Sequence, residues 1–285
     1  MDIFVNDKPA DITLDTEKTL GDVLSGIELW ISPTGNRIQG ISVNGKNMPE
    51  DKLALSFGKD IKDIKRLDVT VSSWRELAAE ALLVLRDTCI SYRNASFEDR
   101  REIAAAWEKS PAARFLLSDI PDLNGLVNRT ISGEGLSAQE LAVCIDERLR
   151  EITEPALEIS RTEPLVNSIA KRMEELSLDM QTGKDRHAAE TVQLFSQLGE
   201  KLFRILMIYK SEGISFDLLV IDDLPGRAFI DEFNAAIKEL SSAYENRDTV
   251  LSGDIAEYEL APRLLRFFNA IKDISMLNSN LASAS

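Results

Sequence analysis

The sequence predicts an α+β protein: a small β-rich N-terminal domain over residues 1–72, followed by a large all-α helical-bundle region over residues 73–285. Three observations carry this. Short runs of alternating polar and apolar residues, separated by Asn, Asp and Gly, fill the chain up to Val71. From Trp74 onward, apolar residues recur at three- and four-residue steps. With 285 residues, 44% of them hydrophobic and 28% charged, the chain has apolar material for two or three domains.

Asp2–Val5 reads as a short strand. Asn6-Asp7-Lys8-Pro9 supplies turn chemistry, because Asn and Asp tolerate left-handed backbone and Pro9 donates nothing to a ladder. Asp11-Ile12-Thr13-Leu14 resumes the alternation, which predicts a hairpin. Thr19 and Asp22 form a capping-box pattern, and Leu20, Val23, Leu24 and Ile27 then fall on one helical face. Ser32-Pro33-Thr34-Gly35 ends that helix. Residues 37–43 alternate again, Asn44-Gly45 marks a tight turn, and residues 67–71 form a last strand.

The order strand, strand, helix, strand, short strand, strand is that of a β-grasp domain. Ile3-Phe4-Val5-Asn6-Asp7-Lys8-Pro9, Thr19-Leu20-Gly21-Asp22-Val23-Leu24, Ile41-Ser42-Val43-Asn44-Gly45-Lys46 with Pro49, and Leu67-Asp68-Val69-Thr70-Val71 carry the likeness. Over about a quarter of its length the chain resembles the sulfur-carrier and ubiquitin-like members of that superfamily. The resemblance implies a rigid sheet face offered to a partner. Sulfur carriers end in Gly-Gly, whose terminal carboxylate is activated, whereas Ser72-Ser73-Trp74 follow the last strand here. A sulfur or acyl carrier would therefore require processing near Ser72. Gly40 to Asn47 has the spacing of a phosphate-binding loop up to its last position, where Ser or Thr is needed. Its glycines flank a strand, and Pro49 is expected to follow in place of a helix, so nucleotide binding is not assigned there.

The helical region opens with a capping box, Ser73 to Glu76, and a helix to about Arg93 with Leu77, Ala81, Val84, Leu85 and Thr88 along one stripe. Ser96 and Asp99 cap the next helix. Pro111, Pro121 and the Gly125 region are expected to break the following stretch into shorter helices, Gly133-Glu134-Gly135 reads as a loop, and Ser137 and Glu140 form another box. Three longer helices are predicted over residues 141–159, 164–180 and 185–209, and the spacing leaves open one bundle or two subdomains with a break near 160–164. In the third, Ala188, Val192, Phe195, Leu198, Leu202, Ile205 and Ile208 have the spacing of a helix buried along one side. Residues 215–221 read as a short helix, Pro225 opens another to about Asn246, and a last helix from Gly253 contains Pro262, which should kink it. The small polar tail from Asn278 is expected to fray.

The net charge of −15, from 33 basic and 48 acidic side chains, disfavours nucleic acid and anionic membranes as partners. Its apolar runs are too short to span a bilayer and no basic leader precedes Ile3-Phe4-Val5, so a cytoplasmic protein is expected. Cys89 and Cys144 read as reduced core residues, and His187 as a solvated surface residue. One histidine, in the order His187-x-x-Glu190, cannot assemble the paired Glu-x-x-His units of a di-iron bundle. Zinc spacing, a calcium loop and a Gly-x-Ser-x-Gly elbow are all missing. No catalytic, cofactor-binding or metal residue is assigned. Glu257, Tyr258, Glu259 and Arg263, next to Pro262, are the candidate partner-binding residues. The function expected is a non-catalytic protein–protein adaptor or scaffold, with a protein partner and self-association as a further option. The alternative is an enzyme or ligand-binding protein using a carboxylate-lined cleft in the helical domain.

Overall fold

The computed structural model describes residues 1–14, 16–214 and 219–284. Strand β1 (Asp2–Val5) turns through Asn6 and Asp7 into β2 (Lys8–Pro9). Those two residues sit at φ 49° and 63°, a region Asn and Asp enter at little cost. The hairpin is thus present, but its second strand precedes the expected Asp11–Leu14. The ladder extends only as far as the Ala10 N–H, which donates to the Ile3 carbonyl at 2.9 Å. Pro9 lies on the sheet edge, where a missing donor costs least.

Helix α1 (Leu20–Ile31) begins at the expected capping box: the Thr19 hydroxyl accepts from the Asp22 N–H, and the Asp22 carboxylate accepts from the Thr19 N–H at 2.9 Å. It ends in a 3-10 turn closed by Gly35 at φ 71°. Strands β3 (Asn36–Val43) and β4 (Lys46–Asn47) flank Asn44-Gly45, both at positive φ. Helix α2 (Glu50–Ser56) then starts directly after Pro49, where no helix was expected. The phosphate-loop spacing is nevertheless consumed by a hairpin, with Val43 paired to Lys46. Strand β5 (Arg66–Ser73) completes the sheet, whose order is β2-β1-β5-β3-β4. The β1–β5 pair is parallel and the others are antiparallel. Leu67, Val69 and Val71 alternate inward from β5 and share a core with Leu20, Val23, Leu24 and Ile27 of α1.

Helices α3 (Trp74–Asn94), α4 (Phe97–Glu108), α5 (Pro111–Asp119) and α6 (Pro121–Ser132) follow. Ser73 and Ser96 cap α3 and α4 as expected, through the N–H groups of Glu76 and Asp99. The buried stripe of α3 is Ala78, Ala81, Leu82, Leu85 and Cys89, one step round from the predicted face, and Val84 is exposed. Pro111 and Pro121 stand in first turns, where a missing N–H is harmless. Gly125 lies inside α6, and the break falls at Gly133, φ 77°.

Helices α7 (Ala138–Thr153), α8 (Pro155–Glu174), α9 (Leu176–Gln181) and α10 (Asp185–Ser211) divide the chain differently from the predicted 141–159 and 164–180. The interruption is at Glu154, because the residue before a proline is driven out of the helical region (φ −135°, ψ 54°) and Pro155 then opens α8. Pro164 lies within α8, so the expected break near 160–164 is continuous helix. Residues 215–218, predicted helical, lie outside the described residues. Val220–Ile221 and Leu224–Pro225 form strands β6 and β7, where a helix was expected over 220–221. Asp222 and Asp223 make the left-handed turn between them, at φ 56° and 65°. Helices α11 (Gly226–Glu245), α12 (Thr249–Asp254) and α13 (Ala261–Ala284) complete the chain; α13 continues through the tail expected to fray.

Two units result: Met1–Ile145 with Ser211–Gly213, and Asp146–Lys210 with Ile214–Ser285. Helices α3 to α6 group with the sheet in the first unit. The second unit holds a large apolar core from α8, α10, α11 and α13, centred on Leu202, Ile205, Phe229, Leu264 and Phe267. Phe229, Phe233 and Phe267 pack there in tilted and edge-on pairs with centroids 6.0–6.2 Å apart.

Candidate functional site

Of the partner-binding residues proposed from sequence, Glu257, Tyr258 and Glu259 lie on a π-helical turn, Ile255–Leu260, inserted between α12 and α13, and Arg263 lies in the first turn of α13. Pro262 has no N–H and crowds the preceding turn, and the wider π turn lies directly before it. Tyr258 projects into solvent at 68% exposure. It hydrogen-bonds Glu257, which holds the phenol above its ordinary pKa. Glu259 accepts from Arg263 at 2.8 Å, the i,i+4 pair that the spacing predicted, and Arg263 also stands 3.5 Å from Glu232. The structure thus brings the four residues to one helical segment, with Tyr258 the side chain that reaches outward.

Within the second unit, α7, α8 and α10 assemble a buried charge network that sequence reasoning missed. Arg204 forks onto Glu151, Nε to Oε2 at 2.9 Å and Nη2 to Oε1 at 2.7 Å. One turn earlier, Lys201 donates to Glu158 at 2.7 Å and Glu147 at 3.0 Å. Arg148 stands 3.8 Å from Glu151, and Arg150 and Arg161 each 3.7 Å from Glu158 Oε2. Glu151 and Glu158 are both buried. Burial pushes the Glu151 carboxyl up to about 8, against the pull of Arg148 and Lys201 and with the repulsion of Glu147 and Glu158. Burial also opposes the Lys201 ammonium, but its bonds to Glu158 and Glu147 outweigh this and raise its pKa. The i,i+4 spacing of Glu147 and Glu151, and the i,i+3 spacing of Lys201 and Arg204, put each pair on one helical face. Nothing in the chain says that those faces meet.

His187 is not simply solvated. Its Nδ1 lies 2.5 Å from Oδ2 of the buried Asp179, and Lys184 reaches the other oxygen at 3.1 Å. These two partners, His187 foremost, hold the Asp179 carboxyl below its ordinary range. Cys89 is buried, which pushes its thiol up to about 11, and Cys144 is half-buried.

The N-terminal unit carries a groove of about 290 Å³ between residues 10–14 and α1. Ile12, Leu14, Ile27 and Trp30 are among its apolar walls, and Asp11 and Glu17 line it as well. Helix α1 buries Leu20, Val23, Leu24, Ile27 and Ile31, so its remaining apolar residues face outward: Trp30 is 60% exposed and Leu29 77%. Gly26 stands in the groove wall, and a Cβ there would meet no atom within 4 Å. The signal for this site was present in the chain, since Leu29-Trp30 breaks the polar pattern expected on the outer face of an amphipathic helix.

Comparison with known proteins matches two separate stretches of the chain. Residues 1–73 match the family model described as TP0873 N-terminal domain, which ends where β5 ends. Residues 158–270 match a domain of unknown function, DUF8042. An uncharacterised protein of Treponema pallidum (strain Nichols) is 23% identical over 265 residues, covering 92% of each chain. No solved structure matches. Among the described residues, no helix is long and apolar enough to cross a membrane.

Proposed function

We propose that this chain is a non-catalytic, cytoplasmic adaptor that binds another protein through the β-grasp module formed by its N-terminal sheet and α1. The observation that carries the reading is the α1 groove, where a helix already buried on one face leaves Trp30 and Leu29 in solvent beside an apolar cleft. Large exposed aromatic residues beside concave apolar surface are what protein interfaces use as anchors. The sheet order, with β1 and β5 parallel at the centre and α1 across one face, supports the β-grasp assignment. The carboxylates that a catalytic reading would use, Glu147, Glu151 and Glu158, are each hydrogen-bonded to Lys201 or Arg204, which favours a structural role for them. Tyr258 on the π turn is a second candidate contact.

The test is affinity purification of the full chain from its own cells at native abundance, with quantitative mass spectrometry of what accompanies it. A protein recovered in fixed stoichiometry is the expected result. A chain that emerges alone, across a range of concentrations, refutes the adaptor reading.

A further inference from the structure

The groove's chemistry narrows the kind of partner. Residues 10–30 hold the carboxylates Asp11, Asp15, Glu17, Asp22 and Glu28 against a single base, Lys18. Asp22 is committed to the α1 cap, where it accepts from the Lys18 and Thr19 N–H groups. Asp11 and Glu17 line the groove itself, beside the apolar walls of Ile12, Leu14, Ile27 and Trp30. A second copy of this chain is a poor occupant, because a net charge of −15 repels itself. The exposed indole of Trp30 adds a ring face that attracts a cation. From the exposed apolar groove and its carboxylate lining, we infer that the α1 groove takes a short basic segment of a partner protein, with one large apolar side chain seated between Leu14 and Trp30 and flanking Lys or Arg paired to Asp11 and Glu17. This rests on the adaptor reading and specifies the partner's contact segment.

The experiment is selection of random displayed peptides on the full-length chain, with counter-selection on Gly26→Trp. That substitution fills the groove from an open position, and replacing a mid-helix glycine favours α1. A thermal unfolding scan verifies that the variant is folded. Groove-dependent peptides should carry an aromatic or branched aliphatic residue flanked by Lys or Arg. They should bind at least about tenfold more weakly to Gly26→Trp, and to the double variant Asp11→Lys/Glu17→Lys. Selected peptides that are acidic or uncharged overturn the inference, as do peptides indifferent to both variants or a selection that enriches nothing. A stoichiometric native partner whose binding ignores both variants also overturns it, while leaving the adaptor reading intact. A chain that purifies alone removes the adaptor reading on which it rests.

Discussion

Glu151 is a carboxylate buried in the second unit. Its carboxyl rises from an ordinary 4.5 to about 8 because burial penalises the charge more than its cationic neighbours reward it. An acid with a raised folded-state pKa binds its proton more tightly when folded than unfolded. Its contribution to stability is therefore complete below the unfolded value and is lost as pH rises through about 8. Relative to Glu151→Gln, the wild type should lose stability between these two pH values, by at most about 1.4 kcal/mol per pH unit. Urea denaturation of both proteins across that range measures the difference, and parallel curves would show that the group is ionised in both states throughout. Lys201 tests the other half of the network. Removing it as Lys201→Met takes the shared ammonium from Glu147 and the buried Glu158, and should cost about 3–5 kcal/mol. Adding Glu158→Gln should recover part of that loss, since the uncompensated charge goes with it. A double variant no more stable than the single one would mean that Lys201 acts through packing of its aliphatic stem.

Turns and helix ends show how local chemistry selects elements. The β6–β7 hairpin turns on two aspartates in the left-handed region, the same device as Asn6-Asp7 in the sheet. A β-branched side chain is strained in that conformation, whereas glycine enters it freely. Asp223→Val should therefore cost about 1–2 kcal/mol and Asp223→Gly little or nothing, as read from thermal unfolding of the two variants. Equal losses would point to a side-chain role for Asp223 in place of a backbone one. In a helix, the wider π turn lies directly before Pro262, whose ring crowds the preceding turn.

On the scale of the whole molecule, stability rests on separate apolar cores. Leu67, at 0% exposure in the central strand, anchors the sheet, and Leu202, equally buried in α10, anchors the helical core. Each truncation to alanine should cost about 2–5 kcal/mol. Hydrogen exchange should place the loss of protection from Leu67→Ala mainly in residues of the sheet, and that from Leu202→Ala mainly in α8, α10 and α13. Identical losses at both cores, from either variant, would instead mean that the chain opens as one cooperative unit.

What the amino-acid sequence by itself determined is whatever depends on neighbours within about four residues. The α+β class, the capping boxes at Thr19, Ser73 and Ser137, the Asn44-Gly45 turn and the Glu259–Arg263 pair are of this kind. Their partners are fixed by the covalent chain, so spacing alone locates them. Even the Asp222-Asp223 hairpin had a local signal, which the surrounding helical pattern obscured. Tertiary packing decided the rest. It rotated the buried face of α3 away from Val84 and brought Asp179 against His187. It also set Lys201 and Arg204 against carboxylates more than forty positions earlier. Such contacts follow from which apolar stripes close on one another, and a stripe says that a face must be buried without saying against what.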